Sequence, residues 1–108
     1  MRARRIDANL TEIANAYRAL GCSVHITNAM WDLTVGYGGI SELVEVKDGA
    51  KSASRRKLTP AQVKFRSTWT GGVRLIQSLD DVQVHVAHIR KRHAVINAYA
   101  LAAIATTR

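Results

Sequence analysis

Apolar residues at Ile6, Leu10, Ile13, Tyr17 and Leu20 recur in alternating steps of four and three. That spacing puts them on one stripe of a helix over residues 6–20. Asn9, followed three positions later by Glu12, fits a capping box and sets the start between Asp7 and Asn9. Gly21 stands where a left-handed C-terminal residue is wanted, so the helix ends at Leu20. The period then changes to two: Cys22-Ser23-Val24-His25-Ile26 alternates like a half-buried strand. Two further β-rich segments, Trp31–Val35 and Ile40–Lys47, flank Gly36-Tyr37-Gly38-Gly39, which predicts a hairpin. With Gly38 and Gly39 as the loop residues, Tyr37 pairs with Ile40 and Asp32 lies opposite Glu45. Lys47, two residues beyond Glu45, then points to the same face, while Leu33, Val35, Val44 and Val46 point to the other. A turn at Tyr37-Gly38 would keep Asp32 and Glu45 on one face; a slip by one residue would separate them.

The rest of the chain continues the alternation of helix and strand. Residues 48–58 are polar and basic and read as a loop carrying Lys51, Arg55, Arg56 and Lys57. Thr59 as N-cap, Pro60 at the first position and Gln62 three residues after the cap begin a helix running to about Trp69. Gly71-Gly72 ends it, and Val73–Ile76 is a short strand. Ser78, Asp80 and Asp81 open a last stretch whose signal is divided. Leu79, Val82, Val86, Ile89 and Ile96 suit a helix, whereas Val82, Val84 and Val86 alternate like a strand. The Ala-rich run from Ala94 to Ala105 favours helix. The expected class is therefore α/β: a mixed sheet flanked by helices, with a C-terminal helical extension over about 79–105.

Composition narrows the partners. The 108 residues hold 16 Lys and Arg against 8 Asp and Glu, a formal charge of +8, enough chain for one domain over 1–108. No run of 18 apolar residues predicts a membrane span, and the basic Met1–Arg5 stretch lacks the apolar core of a secretory signal. Cys22 is the only cysteine, which excludes a disulfide framework and reads as packing. His25, His85, His88 and His93 follow no zinc spacing and read as satisfied or exposed; Trp31 and Trp69 read as core anchors. The expectation is a cytoplasmic, intracellular protein with a polyanionic partner, most often nucleic acid.

The hairpin carries the candidate chemistry. Two carboxylates opposed on paired strands repel, and burial worsens the conflict. A divalent cation resolves it. Mg²⁺ is a hard ion that takes carboxylate and carbonyl oxygens, so Asp32, Glu45 and the Val46 carbonyl are the predicted ligands, with Mn²⁺ as the alternative ion. Such an ion holds a phosphate and acidifies a bound water. Lys47, on the same face, would orient that water or stabilise the transition state. The competing reading of Glu45-Val46-Lys47 is a solvated strand face. Lys51, Arg55, Arg56 and Lys57, with Lys64 and Arg66 on the following helix, would neutralise flanking phosphates and bind DNA. No zinc finger, helix-turn-helix or stacking motif suggests base readout.

Asp32, twelve intervening residues and Glu45-Val46-Lys47, placed on a hairpin after an N-terminal helix, resemble the PD-(D/E)XK nuclease signature. The nearer likeness is to the small VRR-NUC and Holliday-junction-resolvase-like branch, including short phage-encoded members. Trp31-Asp32-Leu33-Thr34-Val35-Gly36 resembles that branch's Pro-Asp-Leu-Leu-Val-Gly segment, with Trp31 where the family carries Pro. Thr27-Asn28-Ala29-Met30 lacks the family's Gly-rich approach to the Asp. Leu58-Thr59-Pro60-Ala61-Gln62 resembles its Leu-Ser/Thr-x-x-Gln helix opening. The likeness covers about residues 7–80. It implies a restriction-endonuclease-like fold, a further metal or water-positioning role for Glu12, and a supporting role for Gln62. Each has a structural alternative, since Glu12 and Gln62 could simply cap their own helices. The resemblance also points toward branched or junction DNA, and toward a host cytoplasm if the chain is phage-encoded.

The reading is a Mg²⁺-dependent DNA endonuclease, expected to work as a homodimer through its apolar C-terminal helix because so small a domain covers little duplex. The alternatives are a basic DNA-binding or packaging protein that keeps the fold without catalysis, and a capsid or adaptor protein.

Overall fold

A computed structural model describes residues 8–27, 29–47 and 58–106. Among them the elements run α1 (Ala8–Ala19), β1 (Ser23–Ile26), β2 (Leu33–Tyr37), β3 (Ile40–Val46), α2 (Pro60–Thr68), β4 (Val73–Ile76) and α3 (Leu79–Thr106). The strands form one sheet in the order β1-β2-β3-β4, antiparallel except for the β3–β4 pair, which is parallel. This is the expected α/β class, a mixed sheet with helices on it and a long C-terminal helix. The basic loop residues Lys51, Arg55, Arg56 and Lys57 lie outside the described residues.

Local chemistry sets most of the boundaries. The α1 helix closes where Gly21 adopts φ +91°. Cys22 N–H donates to Tyr17 O at 3.1 Å and Gly21 N–H to Arg18 O at 3.0 Å, the paired bonds of a Schellman ending. The start of α1 falls in the expected interval, but the predicted Asn9 cap does not form. The helix already includes Ala8, so Asn9 is inside it, and its side-chain amide donates to the Lys47 carbonyl at 3.4 Å rather than capping. In the hairpin, Gly38 and Gly39 have φ of +53° and +86°, the conformation a two-residue type I′ turn requires. Tyr37 pairs with Ile40 and Leu33 with Val44, the register expected from the Gly-Gly loop. The α2 start also behaves as read. Thr59 accepts from Gln62 N–H, and the Gln62 side chain accepts from Thr59 N–H.

The core lies on one face of the sheet, under α1 and α3. Leu10, Ile13, Ala14 and Tyr17 meet Leu33, Val35, Val44 and Ile76, and are closed over by Val82, Val86 and Ile89. The divided signal of the last segment resolves here. Val82, His85, Val86 and Ile89 are buried at helical spacing, while Val84 is exposed. Ser78 caps the helix by accepting from Asp81 N–H at 3.2 Å, with Asp80 and Asp81 in the first turn where the dipole favours acids. Arg92 and His93 still meet Glu42 and Tyr37 of the sheet, and beyond them the helix is exposed. Val95, Ile96, Tyr99, Leu101 and Ile104 are all exposed. Trp69 is 44% exposed, which corrects its reading as a core anchor. It stacks on Phe65 at 5.5 Å, and Phe65 in turn meets Trp31 at 5.6 Å, an aromatic row outside the main core.

Candidate active site

Pairing Leu33 with Val44 directs both inward, so Glu45 and its in-phase neighbour Lys47 point to the opposite face, where Gln62 of α2 meets them. Asp32 sits immediately before β2, and there the ladder changes. Its N–H donates to Val44 O at 2.9 Å, one residue off the register that holds from Leu33 onward. Its carboxylate then reaches across β3 and accepts the Val46 N–H at 2.8 Å. In extended backbone, the N–H and C=O of one residue point toward the same neighbouring strand. The Val46 carbonyl therefore faces the Asp32 side, while Lys47 N–H bonds Ile76 O at 3.0 Å on the β4 side.

Both acids are buried, Asp32 at 7% and Glu45 at 4% exposure. Carboxylates do not enter such surroundings without compensation, so their burial calls for cationic or hydrogen-bonding company. Lys47 Nζ lies 3.5 Å from Glu45 Oε1 and donates to Gln62 Oε1 at 3.2 Å. The Gln62 amide nitrogen donates to Glu45 Oε1. Gln62 caps its helix, as one of its two readings has it, and also bonds Glu45. Its carbonyl oxygen completes the capping box of α2, and its amide orients Glu45. The Asp32 carboxylate before β2, and the Glu45 carboxylate and Val46 carbonyl on β3, are hard-oxygen donors, of the kind that Mg²⁺ or Mn²⁺ takes in preference to a soft ion.

Other predicted residues fall elsewhere. Glu12 is exposed on α1, one turn past Asn9. Among the described residues, no group of three or more His, Cys, Asp or Glu is placed to hold a metal, so Glu12 does not join Asp32 and Glu45 in such a group. Arg66 is half-buried and donates to Val73 O at 3.0 Å, tying α2 to β4. Lys64 remains exposed on the same helix. Cys22 is buried, and that burial pushes its thiol up, as suits packing.

A buried polar network not singled out from sequence crosses the other face of the sheet. His85 Nε2–H donates to Glu42 Oε1 at 3.2 Å, and Tyr17 O–H donates to His85 Nδ1 at 2.6 Å. Burial lowers the His85 pKa, outweighing the Glu42 hydrogen bond that raises it, and burial pushes the Tyr17 phenol far above its ordinary value. The signal was present in phase: Glu42 alternates with Val44 and Val46, and His85 with Val82, Val86 and Ile89. No protein-family model matches the chain, and neither a curated protein nor a solved structure matches it.

Proposed function

We propose that the protein is a divalent-metal-dependent DNA endonuclease, with branched or junction DNA as the substrate class suggested by its likeness to resolvase-type nucleases. The observation that carries this reading is the burial of both Asp32 and Glu45 at the end of one hairpin, with Lys47 against Glu45. A net charge of +8 supplies the affinity for a polyanion. Asp32, Glu45 and the Val46 carbonyl would hold the ion. When bound, it would polarise the scissile phosphodiester and acidify a water beside it. The chain's own residues do the positioning. Val46 N–H fixes the Asp32 carboxylate, Gln62 fixes Glu45, and the Lys47 ammonium stands where it can neutralise charge developing on the phosphate.

A second reading has its own support. Glu45, Lys47 and Gln62 are already bonded to one another, as in a cluster that only pins α2 to the sheet. A non-catalytic basic DNA-binding protein would need no more. Incubation of supercoiled, linear and four-way-junction DNA with Mg²⁺ or Mn²⁺ separates the two. The nuclease nicks or resolves these substrates, and stops with EDTA. Tight, salt-sensitive binding without any metal-dependent cutting would establish the second reading instead.

We further propose that the protein acts as a homodimer through the outer half of α3. From Ala94 to Thr107 no side chain is charged, and five large apolar residues there are exposed. Among the described residues, no helix is long and apolar enough to cross a membrane. A contiguous apolar surface of this kind is characteristic of a protein contact. Leu101→Lys is expected to convert a dimer to a monomer in sedimentation velocity with little change in the melting of the domain, because Leu101 is 68% exposed. A species of unchanged mass would remove the dimer from the proposal.

A further inference from the structure

On the sheet face opposite Glu45 and Lys47, a cleft of about 280 Å³ opens between β3, β4 and the middle of α3. Glu42, Arg74, His88, Lys91 and Arg92 line it. The placement follows from register and helical phase. Arg74 pairs with Val44, so it shares the face that carries Glu42, two residues earlier on β3. His88, Lys91 and Arg92 stand three and four residues apart and form one stripe of α3 above that strand edge. Nothing in the proposed cleavage chemistry uses these residues.

The cleft is organised before any ligand arrives. Glu42 forms its base, held by the buried His85 at 3.2 Å. Arg92 Nη2 lies 3.2 Å from Glu42 Oε1, which anchors one edge of a guanidinium that still has other N–H groups to offer. Arg74 Nη2–H donates to His88 Nδ1 at 3.4 Å, so His88 Nε2 carries a hydrogen and is a donor. The lining therefore presents donors almost exclusively. Arg74, Lys91 and Arg92 contribute three positive charges and Glu42 one negative charge, leaving the cleft at +2 with His88 neutral. Arginine forks recognise tetrahedral oxyanions through paired hydrogen bonds, and a phosphate monoester carries close to two negative charges at neutral pH, whereas a diester carries one. The volume lies at the small end for ligand sites, enough for a phosphate group and the sugar bearing it.

We propose that this cleft is a binding site for a small phosphate monoester, a sugar phosphate or a nucleoside monophosphate. The site is independent of the cleavage reading, because it lies on the other face of the sheet and needs no metal. The test is an ¹⁵N-HSQC titration of the full chain in EDTA with inorganic phosphate, ribose 5-phosphate, AMP and adenosine. The monoesters are expected to saturate with a dissociation constant on the order of 10⁻⁴ M. Shifts should centre on Arg74, His88, Lys91 and Arg92, and adenosine should produce none. AMP binding tighter than ribose 5-phosphate would mark a nucleotide site, and equal affinities a sugar-phosphate site. The double variant Arg74→Gln, Lys91→Gln should weaken monoester binding by at least about tenfold while keeping the dispersed spectrum of a folded protein. Shifts elsewhere, equal binding by the double variant, or displacement of the monoester by a short oligonucleotide without terminal phosphates would overturn the proposal.

Discussion

Asp32→Asn is expected to abolish metal-dependent strand cleavage, by about 10³-fold or more, while leaving the fold and the affinity for DNA in place. The substitution removes a charge without removing the acceptor. An Asn side-chain oxygen can still take the Val46 N–H that Asp32 now accepts at 2.8 Å, so the local ladder survives. What disappears is one of two anionic ligands, and a hard divalent ion depends strongly on them. In EDTA the variant should bind DNA as well as the parent or slightly better, because a negative charge next to the phosphates has gone. That combination of equal or tighter binding with lost turnover would not arise from unfolding. Glu45→Gln should behave alike, since its carbonyl oxygen can still accept from Gln62. Lys47→Ala should reduce the rate by about 10–100-fold through lost charge stabilisation. Nicking kinetics, fluorescence anisotropy in EDTA and thermal melts on the same preparations give all three readouts. An Asp32→Asn protein that cuts at the parental rate would end the nuclease reading.

The parts of this architecture legible in the sequence are those fixed by local chemistry. Gly38-Gly39 admits a type I′ turn, and that turn sets the β2–β3 register from Tyr37 back to Leu33, whereas Asp32 departs from it by one residue and does not pair with Glu45 as the turn alone predicts. Thr59, Pro60 and Gln62 fix the start of α2 within four residues of each other. The Gly21 ending of α1 is equally local. What escaped depends on contacts across long stretches of chain. Asn9 fits a cap by its spacing, yet its amide is committed to Lys47, 38 residues away. Arg66 looks like a free cation until β4 supplies the Val73 carbonyl it bonds. Trp69 looks like an anchor by type, but α2 buries none of its residues fully, and the ring lies out on Phe65. The helix α3 was ambiguous because its valines satisfy both periods. Packing against α1 and the sheet, rather than propensity, selects the helical one.

Stability is expected to fall on acidification below about pH 6.5, and His85 is the group responsible. In the folded chain, burial holds His85 neutral and its pKa low, with the Glu42 hydrogen bond opposing only in part. In the unfolded chain the imidazole takes up a proton near its ordinary pKa of about 6.5. Between that value and the lower folded pKa, the unfolded state therefore binds more protons, so stability rises with pH there and levels off above the window. The slope cannot exceed about 1.4 kcal/mol per pH unit for one proton. Urea midpoints at pH 7.5, 6.5 and 5.5 read it, above the range where carboxylates dominate. His85→Ala should flatten the profile and lower stability at pH 7.5 by about 3 kcal/mol. It empties a site with no solvent exposure and leaves the buried Tyr17 hydroxyl without its 2.6 Å acceptor. Tyr17→Phe in the His85→Ala background should then cost almost nothing further, because the acceptor is already gone. If the parent and His85→Ala lose stability in parallel on acidification, His85 is not the titrating group. A parent that gains stability over the same range would mean that the Glu42 carboxylate holds His85 charged in the fold.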